Sequence, residues 1–367
     1  MIGIIGGYGA VGLQTARMLQ AWGRQPLRIG GRNSTMARTR FGSEFPQAEW
    51  FEVDVEDDRS MDLFLDGCSL IVNCSGPSWR TAARVAGMCL DRGCHHVDAG
   101  MDKEMAVMRK LSQNNTVVLY AAGATPGLSG LLPRQLAQAF DKVESLRYYT
   151  GALDNFTAAA AEDYLTGVVD KDNQPLAAWK NGACRLGALS RKPGSRLPFL
   201  PREVTLYPYF DAEAEFVANA LALRDGEWYI GVDGQHVPPV LDEVRSRFLT
   251  DRHDAIKRLC TAAELDAVGR RQYVVFIIEL SGRKNGTGIT RTLVLQADKP
   301  SRLTGSVAAA AAMAVLAGEI PAGIRPLAEI PVPDKVIEQL NKSKVISCLR
   351  VFESSVEQLL PVTEGEL

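Results

Sequence analysis

Gly7-Tyr8-Gly9-Ala10-Val11-Gly12 decides the fold of this chain. The six residues follow an apolar run at 2–5. They open a stretch in which Val11, Ala16 and Leu19 recur at helical spacing. A Gly-x-Gly-x-x-Gly placed between a strand and a helix is the phosphate-binding turn of a βαβ unit. Gly7 is expected to allow the tight turn, Gly9 to let the backbone approach a pyrophosphate, and Gly12 to let helix and strand pack closely. Tyr8, Ala10 and Val11 fall in the same loop, and the helix start offers unpaired N–H groups and partial positive charge to the phosphates.

Outward from the loop, short apolar runs at 27–29, 50–55, 70–73, 96–98 and 116–120 alternate with helical patterns, among them 80–92, ended by Gly93. Apolar strands separated by helices predict a Rossmann-type, doubly wound parallel sheet covered on both faces. After Pro126 the alternation stops. Residues 143–152, 202–207, 227–232, 272–281 and 288–297 read as strands, and 238–249 and 252–267 as helices. Asn285-Gly286 suits a hairpin turn between the two longest strands. This second region is an α+β insert with a mostly antiparallel sheet, and its Pro-rich pieces at 193–208 read as surface loops. The helix at 305–317 is made of small residues and must pack closely, so it is expected to return to the first domain. The domains are therefore 1–125, completed by about 303–343, and 126–302, the latter for substrate binding and dimerisation. The segment from about Lys344 carries no readable role.

The chain has 367 residues, 41 Lys+Arg against 43 Asp+Glu and a net charge of −2, which argues against a nucleic-acid binder. The longest apolar stretch, 307–317, falls short of the ~20 residues of a membrane span. No basic segment and apolar leader precede the first strand, so the expected location is cytoplasmic. The seven cysteines are scattered without a Cys-x-x-Cys pair, and no His/Glu or His/His helical spacing suggests a metal. The expected partner is a small-molecule substrate.

The end of the second strand selects the cofactor. An Asp or Glu there would hold the ribose 2′-hydroxyl of NAD. The chain reads Gly31-Arg32-Asn33-Ser34-Thr35, with no carboxylate and several donors, which predicts a 2′-phosphate and hence NADP(H). Asp54, after the third strand, is placed near the adenine. Asn73-Cys74-Ser75-Gly76-Pro77 ends the fourth strand, where the nicotinamide ribose should lie. Gly76-Pro77 serves a structural turn equally well, and the Cys74 thiol reads as buried rather than nucleophilic. For the proton that accompanies hydride transfer, the candidates are Asp98 at the end of the fifth strand, Tyr120 at the end of the sixth, and His96. Asp98 also reads as an N-cap for a following helix, and His96 at a strand's amino end also reads as structural. Asp154, Asn155, Tyr164 and His236 are further possible substrate contacts, with no spacing rule to choose among them.

Four segments resemble the saccharopine dehydrogenase-like reductases: the glycine loop, 72–77, Gly93-Cys94-His95-His96-Val97-Asp98, and Gly123-Ala124-Thr125-Pro126-Gly127-Leu128-Ser129. The Thr304-Gly305 start of the alanine-rich helix is also similar. The resemblance covers mainly the cofactor domain, and 150–270 matches nothing nameable. It implies a two-domain NADPH-dependent oxidoreductase that forms or reduces a C–N bond, an imine reductase in the leading reading. The alternatives are an amino-acid or opine-type dehydrogenase working oxidatively and a catalytically silent nucleotide-sensing scaffold. The long hairpin at 272–297 would leave a sheet edge open in a monomer, which predicts a homodimer.

Overall fold

The computed structural model describes residues 1–23, 25–110, 115–170 and 173–360. The chain forms two compact units, one of Met1–Leu131 with Ser301–Val345, the other of Leu132–Pro300 with the chain from Ile346 on.

The first unit is built on a parallel seven-stranded sheet. β1 (Ile2–Ile5), β2 (Leu27–Gly31), β3 (Glu49–Glu52), β4 (Leu70–Asn73), β5 (His95–Asp98) and β6 (Val117–Tyr120) are joined by the late strand Gly323–Pro326. Their order is Gly323–Pro326, β6, β5, β4, β1, β2, β3. The chain changes direction across the sheet beside β1, so a crevice forms outside the carboxyl ends of β1 and β4. β1, β4 and β6 are buried at every position, as continuous apolar strands covered on both faces must be. The helix Pro300–Leu316 packs in this unit against Ala10–Trp22. A Cβ on Gly305 would sit 2.4 Å from the Val11 carbonyl oxygen, so only glycine permits the approach. Gln14 Nε2 donates to Ser306 Oγ at 3.1 Å, and Thr15 Oγ1 donates to the Gly305 carbonyl at 3.1 Å. These bonds explain two buried polar residues on a helix whose apolar face is already spent on the sheet.

The second unit holds a mixed sheet in the order Lys192–Ser195, Val204–Pro208, Asp225–Val232, Lys142–Leu153, Tyr273–Lys284, Thr287–Ala297, Ile346–Phe352. Along this path only Asp225–Val232 and Lys142–Leu153 run parallel. Helices Ala158–Val169, Val237–Thr250 and Arg252–Ala267 pack together through Leu165, Val244, Phe248 and Leu259. Asn285 and Gly286 take φ values of 50° and 77°, the mirror-image two-residue turn whose twist matches the strands on either side.

Two expectations about this unit are corrected. The stretch at 193–208 is not all surface loop: Lys192–Ser195 and Val204–Pro208 pair antiparallel at the sheet edge. Pro193 is tolerated there because an outer edge strand needs no donor on its free side. The edge of the 272–297 hairpin is not open either. Thr287–Ala297 pairs with Ile346–Phe352, Leu293 opposite Val351, so the segment left without a role supplies a strand of its own. The connection is anchored by the buried Glu279, which accepts from Arg147 Nη2 at 2.6 Å and from the Val356 N–H at 2.7 Å. Glu279→Gln keeps the shape but loses the charge facing Arg147. It should cost about 1–2 kcal/mol, read as a thermal midpoint a few degrees lower by circular dichroism.

Candidate functional site

The glycine loop takes its shape at Gly6. Its φ is +67°, and a Cβ there would lie 2.8 Å from the Cys74 carbonyl oxygen. The tight turn assigned to Gly7 is thus made one residue earlier. Gly7 is glycine for space, because a Cβ would meet Ile29 Cγ2 at 2.7 Å and the Ile4 carbonyl at 2.9 Å. At Gly12 a Cβ would stand 2.2 Å from the Gly6 carbonyl oxygen and 2.7 Å from Gly7 Cα, so helix and turn touch backbone to backbone. Gly9 is exposed, and a Cβ there would meet only the Gly6 oxygen, at 3.3 Å, leaving the mouth of the loop clear. Gly9 is also the N-cap of Ala10–Trp22, with no side-chain cap and no acid in the first turn. The N–H groups of Ala10 and Val11 therefore lie in an uncapped first turn, where an anion can satisfy them.

Tyr8 folds over the end of β2. A Cβ on Gly31 would come 2.6 Å from the Tyr8 ring, and the Tyr8 hydroxyl accepts the Asn33 N–H at 2.6 Å. Asn33 caps the helix Ser34–Phe41 by accepting the Met36 N–H at 3.1 Å. Arg32 is exposed beside it, and Ser34 begins the helix. Asp54 lies across the same side of the sheet, one carboxylate oxygen accepting the Glu56 N–H at 3.0 Å.

At the ends of β4 and β5 the sequence candidates converge into one network. Asn73 Oδ1 accepts from the Ser75 N–H at 3.1 Å and from Ser75 Oγ at 2.6 Å. Asn73 Nδ2 donates to Asp98 Oδ2 at 2.7 Å, and Asp98 Oδ1 accepts the Gly100 N–H at 2.8 Å. His96 is fully buried with Nε2 3.4 Å from Asp98 Oδ2, at an angle that makes no hydrogen bond. Asp98 is itself 1% exposed, so the pair is packed beneath the loop rather than open to it. Asp98 caps no helix. That part falls to Asp102, whose carboxylate accepts the Glu104 N–H at 3.0 Å. Tyr120 stands apart from this network. It is buried with Ala82, Ala86 and Met105, and burial, together with Glu329, outweighs Arg109 and pushes its phenol up.

Cys74 aims its Sγ at Thr15 Oγ1, 3.5 Å away, under the glycine loop. Burial pushes this thiol up to about 12, so it stays protonated at neutral pH. Labelling of the folded protein with a maleimide at pH 8 should leave Cys74 unmodified. Peptide mass spectrometry checks this, and stoichiometric labelling would contradict the placement. Gly76 and Pro77 follow with the crevice side open at Gly76. In the second unit, Asn155 borders a groove of about 480 Å³ with Arg271, Gln272 and Lys299. Tyr164 is instead half-buried against Phe156, and desolvation pushes its phenol up to about 12. Asp154 accepts the Asn155 N–H at 2.8 Å, and the His236 N–H donates to Asp266 at 3.1 Å. Among the described residues no cluster of His, Cys, Asp or Glu could hold a metal, and no helix is long and apolar enough to cross a membrane.

The family described as the saccharopine dehydrogenase NADP binding domain matches residues 2–123. Over those residues the first unit is similar to that family. The match begins with β1 and ends just past β6, spanning the whole glycine loop and the Asn73–Asp98 network. Over the full length the fold is similar to apo saccharopine dehydrogenase (L-Glu forming) from Saccharomyces cerevisiae, with TM-score 0.68 and 14% identity, covering 96% of this chain and 99% of that one. Weaker likenesses include an engineered D-amino acid dehydrogenase bound to NADP+ (TM-score 0.47, 14% identity, covering 94% and 99%). Another is the WlbA dehydrogenase from Thermus thermophilus in complex with NAD and UDP-GlcNAcA (TM-score 0.41, 13% identity, covering 93% and 92%). No curated protein matches the sequence.

The residues of the NADP-binding domain fit the cofactor. The uncapped helix start and the clear space at Gly9 suit a pyrophosphate. The β2 end carries Arg32 and no carboxylate. Beside it runs a groove of about 520 Å³ bordered by Arg32, Phe51, Asp54, Arg59 and Leu63. Two of its features were not visible in sequence. Gly6 lies outside the glycine pattern, although its position after the strand was a usable signal, and Arg59 lies 27 residues beyond Arg32, brought alongside only by the fold.

Proposed function

We propose that the chain is an NADPH-dependent reductase of the C=N bond of a small amino-acid-derived or natural-product substrate, acting in the cytoplasm. The observation that carries the cofactor choice is the β2 end, where Arg32 stands exposed and no acid is present to hold a 2′-hydroxyl. Similarity to saccharopine dehydrogenase directs the chemistry to a carbon–nitrogen bond.

Bound NADPH supplies the hydride; the chain supplies the placement. Gly9 and the N–H groups of Ala10 and Val11 receive the pyrophosphate. Gly31, Arg32 and Ser34 receive the 2′-phosphate side, and Asp54 the adenosine edge. Residues 74–77 hold the nicotinamide ribose. Asp98 acts through Asn73 on Ser75 and is a positioning residue in this reading. His96 supports Asp98 from below, and Tyr120, facing Arg109, lies outside the network.

Arg32→Ala should raise the Kd for NADPH by about tenfold to a hundredfold and that for NADH by less than about twofold. Paired titrations following tryptophan quenching check this, and equal losses for both cofactors would sink the 2′-phosphate assignment. Oxidation of NADPH by a panel of cyclic and acyclic imines, run beside reduction of NADP+ by amino acids and secondary amines, fixes the bond and the direction. A second reading, a nucleotide-sensing scaffold, is favoured by one observation: Asp98 and His96 are buried and Tyr120 is turned elsewhere. Tight NADPH binding without turnover on any imine would select it.

Association of two copies is also part of the proposal. With the hairpin edge covered, it rests on the outer edge of Ile346–Phe352, where Val351 is 50% exposed. A monomeric mass by light scattering at micromolar protein would remove it.

A further inference from the structure

We propose that Arg59, from the helix after β3, is a second reader of the cofactor's 2′-phosphate, sharing with Arg32 the groove that would receive it. The inference rests on the NADPH reading above and adds a residue to it that the glycine-loop pattern does not contain.

Arg32 follows β2, and Arg59 is the second residue of the helix Asp58–Leu65; both border the same groove. The neighbouring arginines are engaged. Arg28 donates to Glu49 at 2.9 Å and to the Phe64 and Asp66 carbonyls, Arg80 to Glu56 at 2.9 Å, and Arg84 to Asp58. Arg32 and Arg59 have no hydrogen bond or ion pair from their guanidinium groups among the described residues. The acids on the rim do not neutralise them by contact. Asp57 Oδ1 accepts the Arg59 backbone N–H at 3.0 Å, Asp54 Oδ1 accepts the Glu56 N–H at 3.0 Å, and Glu52 is exposed.

The groove that both arginines line also has apolar residues in its wall. Leu63 is 56% exposed there, unusual for a leucine on an amphipathic helix that buries Met61, Phe64 and Leu65. An open leucine and Phe51 offer apolar surface to a purine, and both cations line the same groove. A phosphate monoester carries about 1.5 to 2 negative charges at neutral pH, more than one exposed arginine balances. An adenosine bearing a 2′-phosphate therefore meets both halves of the groove, whereas one bearing a 2′-hydroxyl leaves Arg59 without work.

The test is calorimetric titration of the full chain with adenosine 2′,5′-bisphosphate and with AMP, for wild type, Arg59→Ala and Arg32→Ala. Arg59→Ala should weaken the bisphosphate about tenfold and AMP by less than about twofold, and should flatten the salt dependence of bisphosphate binding. Equal weakening of both ligands would overturn the proposal by placing Arg59 on the adenine or 5′-phosphate. An unchanged Arg59→Ala beside a selective loss in Arg32→Ala would also overturn it, while leaving the NADPH reading intact. A wild-type protein that does not prefer the bisphosphate would remove the NADPH reading and this inference together.

Discussion

Replacing Gly12 by valine should abolish measurable NADPH binding, raising Kd by more than about a hundredfold, while the second unit keeps its fold. The obstacle is rigid. A Cβ at this position meets the Gly6 carbonyl oxygen at 2.2 Å, the Gly6 carbonyl carbon at 2.8 Å and Gly7 Cα at 2.7 Å, all backbone. No rotamer change relieves it, so the helix Ala10–Trp22 must lift away from the turn after β1. That movement carries the N–H groups of Ala10 and Val11 away from the turn that orients them, and strains the helix contact at Gly305 as well. The loss should therefore appear in both NADPH and NADH titrations, unlike that of Arg32→Ala. Thermal unfolding should show the first transition lowered and the second unmoved. Wild-type affinity in Gly12→Val would mean that the cofactor is held elsewhere.

Asp98→Ala should destabilise the first unit by about 3–5 kcal/mol, because it strips partners from groups that cannot reach water. Asp98 is 1% exposed, and its loss leaves Asn73 Nδ2 and the Gly100 N–H unpaired. Asn73, no longer held, also releases Ser75, so the damage reaches the loop proposed to hold the nicotinamide ribose. The midpoint should fall by about 6–15 °C. Asp98→Asn separates positioning from proton transfer. A positioning role predicts a modest fall in midpoint with KM for NADPH and kcat changed together. A proton-donating role predicts the same modest fall, because the amide NH2 must face one of the two donors either way, but with unchanged KM and kcat lower by about a hundredfold or more.

Most of the fold was legible because it is local. β4 falls at 70–73 as its apolar run indicates, and the helices Val237–Thr250 and Arg252–Ala267 follow their apolar spacing within a residue or two. Asn285-Gly286 makes its turn for a reason contained in two residues. What escaped was set by distance along the chain. Ile346–Phe352 alternates too weakly to announce a strand, and it becomes one because Thr287–Ala297 offers it an edge. Lys192–Ser195 carries a proline and a glycine and is a strand only by virtue of its outer position. In the site, the glycine pattern and Arg32 were readable from spacing. Arg59 was not, because its relevance lies in sharing a groove with a residue on another strand. The catalytic candidates were chosen by strand ends, and side-chain direction then divided them: Asp98 points into the Asn73 network, whereas Tyr120 faces Arg109.

The two units are interleaved along the chain, and translation must complete them late and in order. β6 has no outer neighbour until Gly323–Pro326 has been synthesised, and Thr287–Ala297 has none until Ile346–Phe352 follows. A nascent chain thus carries one unfinished sheet edge from residue 120 to residue 323 and a second from residue 297 to residue 346, each able to template pairing with another chain. A premature stop between residues 326 and 346 would finish the nucleotide-binding sheet and leave the other edge bare. Such a truncated product would carry the complete parallel sheet beside a second sheet whose bare edge can capture another chain.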